Sequence, residues 1–231
     1  MSTSRSIRWG RKKRYAIASI VAIIGISISA YYAMENGPYK NFKTWNFDSY
    51  KDGNIPEGFS YFQNDLQNDS WIVKSDTSAP SPPNVLAKIM NNDTTSDYHV
   101  QIMPDGVDSV NYEASVQVKI NSGEKSQAAG LVFRFVDTKQ YFVLVANAEN
   151  KTFSLCRAQP GELLCLVDKQ ANVTLDQWHT ITASVSAQGI GGYFDGNELI
   201  KRYDQHYQHG QIGLWTKKDT IAYFDDLEMK Y

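Results

Sequence analysis

The chain has little of the chemistry that binds metals or drives thiol redox reactions. Its 231 residues include two cysteines, Cys156 and Cys165, and four histidines. A structural zinc site needs four Cys or His ligands close together, and neither cysteine has such neighbours in sequence. A redox pair would need closer cysteine spacing. The Gly-x-Ser-x-Gly motif of a nucleophile elbow is also absent. These absences argue against a zinc protein, a dithiol oxidoreductase and a serine hydrolase of that type.

Charge is missing from residues 15–34, and acid is missing from the fourteen residues at the N-terminus. About twenty uncharged apolar residues match the thickness of a bilayer core. The preceding Arg11-Lys12-Lys13-Arg14 predicts that the N-terminus stays in the cytoplasm and that the remainder is exported. A cleavable secretory signal is the alternative, with Ile28-Ser29-Ala30 as its cleavage site. Both interpretations place the remainder outside the cytoplasm.

The exported part lacks the basic stripe of a nucleic-acid-binding protein. After the apolar run, 17 Lys and Arg stand against 25 Asp and Glu, a balance of −8. We therefore expect no nucleic-acid partner, and we expect the N-terminal charges to contact lipid. The predicted organisation is a cytoplasmic tail (1–14), a transmembrane signal anchor (15–34), a linker (35–44) and one domain (45–231).

A helical 3.6-residue period is missing from that domain, whereas apolar and polar residues alternate in twos. Alternation is clear in residues 112–120, 131–136, 141–147, 178–185 and 221–229. Turn signals such as Pro160-Gly161 and Asp195-Gly196-Asn197 separate these segments. The pattern predicts an all-β fold, an antiparallel two-sheet sandwich or jelly roll.

The two cysteines fit a disulfide across a hairpin. If Pro160-Gly161 forms the turn, opposed residues have numbers that sum to 321, and Cys156 then faces Cys165. Opposed antiparallel positions are close enough for a disulfide. Proline at the first turn position favours a type II turn or a four-residue loop. Outside the cytoplasm oxidation is permitted, so we predict a disulfide; two free thiols are the alternative.

Several segments together resemble the concanavalin A-like lectin/glucanase superfamily. They are AAGLVFRFVDTKQYFVLVANAENKTFSL (128–155), QWHTI (177–181), GGYFDGNELI (191–200) and GQIGLWTKKDTIAYFDDLEM (210–229), with NFDSYKDGNIPEGF (46–59) and SAPSPPNVLA (78–87) as opening strands. The most similar branch is the one labelled family 16 glycoside hydrolase-like or 3-keto-disaccharide hydrolase-like. The resemblance implies a concanavalin A-like jelly roll with sugars on a concave face or its rim. It also implies that the first strand of the domain pairs with the last, which brings Phe47-Asp48 near Phe224-Asp225-Asp226.

The catalytic Glu-x-Asp-x-x-Glu strand of family 16 glycoside hydrolases is absent here. Alternation places Asp226 and Glu228 on one face of the last strand, as weak candidates for a catalytic carboxylate pair. Asp48 with Asp225 or Asp226 is a candidate for a structural calcium site across the paired terminal strands. No other cofactor is expected.

Sugar recognition requires aromatic faces together with planar hydrogen-bonding groups. Parity places Arg134, Tyr141 and Asn147 on the face opposite Phe133, Phe135, Phe142 and Leu144, and Trp215 opposite Ile212 and Leu214. We predict that Arg134, Tyr141, Asn147 and Trp215 form a carbohydrate-binding patch. The alternative is that both aromatic rings pack beneath loops and that Arg134 pairs with an acid.

The sequence thus predicts a membrane-anchored, extracytoplasmic domain that binds a carbohydrate or glycoconjugate without transforming it. The first alternative is an exported glycoside hydrolase of the 3-keto-disaccharide hydrolase type. The second is a structural or adhesion module of a surface complex, with a protein partner. The expected location is the cell membrane, with a single pass and a cytoplasmic N-terminus, or outside the cell if the signal is cleaved.

Overall fold

The structure is a computed structural model that describes residues 39–62, 71–89, 98–102, 109–217 and 219–231. The predicted cytoplasmic tail and membrane span (1–34) lie outside these residues. In the described part, no helix has the length and apolar character needed to cross a membrane. Residues Phe42–Tyr231 form one compact unit.

Strand residues that alternate between apolar and polar in the sequence also alternate between buried and half-buried in the structure. In the strand Tyr112–Ser122, buried and half-buried side chains alternate from Tyr112 to Gln117, as a strand with one face on a core requires. The described residues form strands in this order: β1 Phe42–Trp45, β2 Ser60–Phe62, β3 Trp71–Ser75, β4 Asn84–Lys88, β5 Tyr98–Ile102, β6 Tyr112–Ser122, β7 Ala128–Asp137, β8 Gln140–Asn147, β9 Thr152–Gln159, β10 Glu162–Gln170, β11 Trp178–Ser186, β12 Gly189–Phe194, β13 Asn197–Arg202, β14 Gln211–Lys217 and β15 Ile221–Lys230.

The strands form two sheets, so the all-β two-sheet sandwich is confirmed. The eight-stranded sheet has the order β13-β12-β11-β6-β15-β4-β3, and β1 pairs beside it with β15. The seven-stranded sheet has the order β10-β9-β8-β7-β14-β5-β2. All pairings between these strands are antiparallel.

The main core lies between the sheets. On β8, Phe142 and Leu144 belong to this core, whereas Tyr141 and Val143 belong to a second apolar cluster. Because neighbouring residues of a strand point to opposite faces, the second cluster lies on the outer face of the seven-stranded sheet. Both faces of β8 are therefore buried, which explains its nearly continuous apolar sequence.

The predicted pairing of the terminal strands is confirmed. Phe42 faces Lys230 and Trp45 faces Leu227 in the antiparallel β1–β15 ladder. β1 begins at Phe42, so the end of the predicted linker (35–44) is already part of the sandwich.

Candidate functional site

A cleft of about 800 Å³ lies on the outer face of the seven-stranded sheet. Trp215 on β14, Val145 on β8 and Cys156 on β9 line it. These three residues belong to the second apolar cluster, so the cleft has an apolar base. We refer to this cavity as the sheet cleft.

The β9–β10 hairpin supplies one side of the sheet cleft. Its register pairs Gln159 with Glu162 and Cys156 with Cys165, and the two cysteines form a disulfide. Gly161, at the second turn position, has a φ of 93°, which a type II turn requires. The predicted hairpin, turn and disulfide are confirmed. The disulfide lines the cleft and ties the edge strand β10 to β9.

The polar lining of the sheet cleft consists of amides, hydroxyls and charged groups. They include Asn147, Asn150, Gln159, Thr152, Ser154 and Asp168. Ser154 Oγ donates to Asp168 Oδ1 at 2.5 Å, which links β9 to β10. Lys139 and Lys217 add two exposed cations. An apolar base with convergent planar polar groups is the combination that recognises small polar ligands.

The structure places two of the four predicted binding residues on the sheet cleft. Asn147 and Trp215 line it. Tyr141 lies on the same face of the sheet but is fully buried, and its ring stacks on Phe135 with centroids 5.8 Å apart. Trp215 is only 2 % exposed. Both rings therefore pack in the apolar cluster of this sheet face rather than beneath loops.

Arg134 departs from the predicted face because β7 contains a bulge. The register with β8 shifts between Phe133 and Asp137, and Arg134 has a φ of 48°. An extra residue in a strand reverses the alternation that follows. The guanidinium of Arg134 lies 5.8 Å from the Phe142 ring, on the core side, and donates to the carbonyl oxygen of Ser186. Arg134 therefore does not line the sheet cleft with Asn147 and Trp215.

The weak catalytic candidates lie on the other sheet. The register of β15 with β6 shifts between Asp225 and Glu228, but Asp226 and Glu228 are both half-buried and flank the buried Leu227, so they lie on one face of β15. Asp226 accepts a hydrogen bond from Ser81 Oγ at 2.7 Å, and Glu228 lies 4.0 Å from Lys230 Nζ. Neither residue lines the sheet cleft.

The carboxylates proposed for calcium have protein partners. Asp48 Oδ1 accepts from the backbone N–H of Asn84 at 3.0 Å, whereas Asp225 and Asp226 share Ser81. Among the described residues, no group of three or more His, Cys, Asp or Glu side chains is placed to hold a metal ion. The calcium site that the sequence suggested at Asp48, Asp225 and Asp226 stays a prediction.

Asp225 gives the domain a pH dependence with a defined sign. Its side chain is fully buried, and burial, together with the charge of Asp226, raises its pKa to about 6. The folded state then holds more protons than the unfolded state between about pH 4 and pH 6. We expect the free energy of unfolding to fall by up to about 3 kcal/mol as the pH rises through this window. Urea unfolding at pH 4.5 and 7 measures the change.

Asp225→Asn should flatten this pH dependence, whereas Asp52→Asn, at an exposed position, should leave it unchanged. Equal slopes in Asp225→Asn and the wild type would contradict the assignment. Below about pH 4 the opposite trend begins, because hydrogen bonds from Lys119 and Ser78 lower the pKa of Asp76 despite its partial burial. That contribution to stability is lost as this carboxylate becomes protonated.

A Thr–His–Asp arrangement on the eight-stranded sheet has a structural role. His179 Nδ1 lies 2.8 Å from Asp195 Oδ2, as in a hydrolase triad. However, the backbone N–H of Thr174 donates to His179 Nε2 at 3.1 Å. Thr174 Oγ1 lies 2.9 Å from the same nitrogen and donates to Gln177 Oε1. The lone pair that a general base would use is therefore engaged by the backbone.

Sequence reasoning missed Ser154, Thr152 and Asp168. Ser154 and Thr152 could have been predicted from the sequence, because they alternate with Cys156 along β9 and therefore lie on the same face of the strand. Asp168 gave no such signal, since a bulge between Cys165 and Val167 shifts the register before it.

Comparisons with known proteins support the architecture. No protein-family model and no curated protein matches the sequence. The carbohydrate-binding module CBM66 from Bacillus subtilis matches with a TM-score of 0.60 and 13% identity, over 75% of this chain and 96% of that one. Cellulose induced protein, Cip1, matches with a TM-score of 0.60 and 10% identity, over 81% and 96%. Domain 4 of AbnA, an extracellular arabinanase from Geobacillus stearothermophilus, matches with a TM-score of 0.56 and 15% identity, over 81% and 90%.

At these identities the likeness establishes the fold alone. The family 16-like or 3-keto-disaccharide hydrolase-like branch suggested by the sequence stays a prediction. The described residues form an all-β two-sheet sandwich, and these three proteins share that fold.

Proposed function

We propose that the protein is a membrane-anchored, extracytoplasmic carbohydrate-binding protein that does not transform its ligand. The sheet cleft is the proposed binding site. The observation that carries the proposal is the cleft itself: about 800 Å³ on one sheet face, lined by Trp215, by amides and by hydroxyls. Three sandwiches of similar architecture are a carbohydrate-binding module, a cellulose-induced protein and an arabinanase domain in complex with arabinotriose.

The composition of the cleft suits a neutral or weakly charged sugar. Sugars present hydroxyls that pair with amides and carboxylates, together with C–H faces that pack on apolar surface. Asn147, Gln159 and Asp168 supply the first kind of group. Val145, Leu163 and the small exposed part of Trp215 supply the second.

The spacing of carboxylates favours binding over hydrolysis. Glu162 and Asp168 are the carboxylates that line the sheet cleft in the described part of the chain. They are six positions apart on β10, roughly 20 Å along an extended strand. Glycoside hydrolysis uses carboxyl groups about 5 to 10 Å apart. This spacing does not suit either the retaining or the inverting mechanism.

The membrane part of the proposal rests on the sequence. Residues 15–34 and the basic segment before them predict a signal anchor, with a cleaved signal as the alternative. The Cys156–Cys165 disulfide agrees with export, because disulfides persist outside the cytoplasm.

A glycan array probed with the full chain in mild detergent, with and without calcium, tests the proposed function. We expect saturable binding to one class of glycan, and no release of sugar when that glycan is incubated with the protein overnight. Release of reducing or oxidised sugar would favour the hydrolase alternative. Silence across the array in both conditions would favour the adhesion module and a protein partner.

A further inference from the structure

A second cleft, of about 470 Å³, lies beside the loop between β13 and β14. Its lining consists of Arg157, Arg202, Tyr203, Asp204, Gln205 and His206. None of these residues lines the sheet cleft. We refer to this cavity as the edge cleft.

Three arginines surround Asp204 beside the edge cleft, two of them at its carboxylate and one at its backbone carbonyl. Asp204 Oδ2 accepts from Arg157 Nη1 at 3.2 Å and lies 3.7 Å from Arg202 Nε. The backbone carbonyl of Asp204 accepts from Arg134 Nη1 at 2.9 Å. Burial alone would raise the pKa of Asp204, but hydrogen bonds from His206 and the charge of Arg157 lower it, so this carboxylate is ionised at neutral pH.

These three arginines, which we call the arginine cluster, carry more positive charge than Asp204 can balance. Arg134, Arg157 and Arg202 carry three positive charges and face one ionised carboxylate, since no other ion pair joins these arginines in the described part of the chain. Arg134 is 2 % exposed, and its Nη donors reach backbone carbonyls only. Buried guanidinium groups normally have a carboxylate or phosphate partner.

The cluster is also short of hydrogen-bond acceptors. The Nε atoms of Arg134, Arg157 and Arg202 are all buried, and none has a hydrogen-bond partner among the described residues. A buried donor without an acceptor costs about 1–3 kcal/mol, and guanidinium donors bind charged oxygens more strongly than neutral ones. An oxyanion in the edge cleft would supply the missing negative charge, and it would lie beside Arg157 and Arg202, which line the cleft.

We propose that the edge cleft is a binding site for an oxyanion, such as a carboxylate or sulfate group. Arg202 is the contact residue, because its side chain is 37% exposed and lines the cleft. Arg157 contributes beside it, and the buried Arg134 adds positive charge from behind. Tyr203, 62% exposed, offers a ring face to a sugar that carries the anion.

Calorimetric titration of the full chain with sulfate, D-glucuronate and D-glucose, at constant ionic strength, tests this site. We expect saturable binding of both anions. Arg202→Gln should weaken anion binding at least tenfold, as the loss of one charge-assisted contact implies. Lys201→Gln removes the same charge from the neighbouring residue, and we expect its affinity to stay within twofold of the wild type.

The outcomes separate the sources of the anion. Tighter binding of glucuronate than of sulfate indicates an acidic sugar, and equal binding indicates a free oxyanion; both support the site. No anion binding by the wild type, or an equal loss in Arg202→Gln and Lys201→Gln, overturns it. The two clefts share no residue. A protein that binds anions but no glycan would therefore disprove the sheet-cleft proposal alone, and a protein that binds glycans but no anions would disprove the edge-cleft proposal alone.

Discussion

Replacing Trp215 with alanine is expected to lower the free energy of unfolding by about 3–5 kcal/mol. The side chain is 2 % exposed and belongs to the apolar cluster that also contains Val132, Tyr141 and Val143. Removing the indole leaves a cavity that this sheet face cannot close without moving two strands. For a domain of this size the melting temperature should fall by about 6–20 °C.

The matched control is Tyr203→Ala, which removes an aromatic ring that is 62% exposed. We expect its stability to stay within about 0.5 kcal/mol of the wild type. Circular dichroism during heating measures both variants. A Trp215→Ala protein as stable as the wild type, with its glycan binding abolished, would contradict this account and restore Trp215 as an open stacking platform.

Removal of the disulfide by the double substitution Cys156→Ala and Cys165→Ala is expected to cost about 2–3 kcal/mol. The cross-link closes a short loop with a sequence separation of 9, so its effect on the unfolded chain is moderate. β10 is the outermost strand of its sheet and pairs only with β9 in the described structure, so little else restrains it. Urea unfolding of the oxidised wild type and the variant measures the difference.

Alkylation followed by mass spectrometry is the control for this prediction. The unreduced wild type should incorporate no label, and the reduced protein should incorporate label at both cysteines. Labelling of both thiols without reduction would show that the cross-link is absent. A double variant as stable as the oxidised wild type would instead show that the β9–β10 ladder is sufficient.

The disulfide could be predicted from sequence because both cysteines lie in one hairpin, β9–β10. Cys156 and Cys165 flank a single Pro-Gly turn, and turn chemistry fixed their register. Alternation likewise identified β6, β8, β11 and β15, since each has at least one face on the main core.

Only two of the four residues of the predicted binding patch line the sheet cleft, for two physical reasons. Parity gives the face on which Tyr141 and Trp215 lie, but it does not give how deeply that face is buried. Parity also assumes a regular strand, and the bulge in β7 turns Arg134 towards the core. The arginine cluster had no sequence signal at all, because tertiary structure alone brings Arg134, Arg157 and Arg202 together.

The account depends most on the claim that the sheet cleft binds carbohydrate. The direct measurement is calorimetric titration of the strongest array glycan into the full-length wild type and Asp168→Ala, with Glu228→Ala as the matched control. Asp168 lines the sheet cleft, whereas Glu228 lies half-exposed on the other sheet. We expect Asp168→Ala to weaken binding about tenfold, the value of one hydrogen bond to a charged group, and Glu228→Ala to bind as the wild type does. Full affinity in Asp168→Ala, with a loss in Glu228→Ala, would place the site on the eight-stranded sheet and contradict the account.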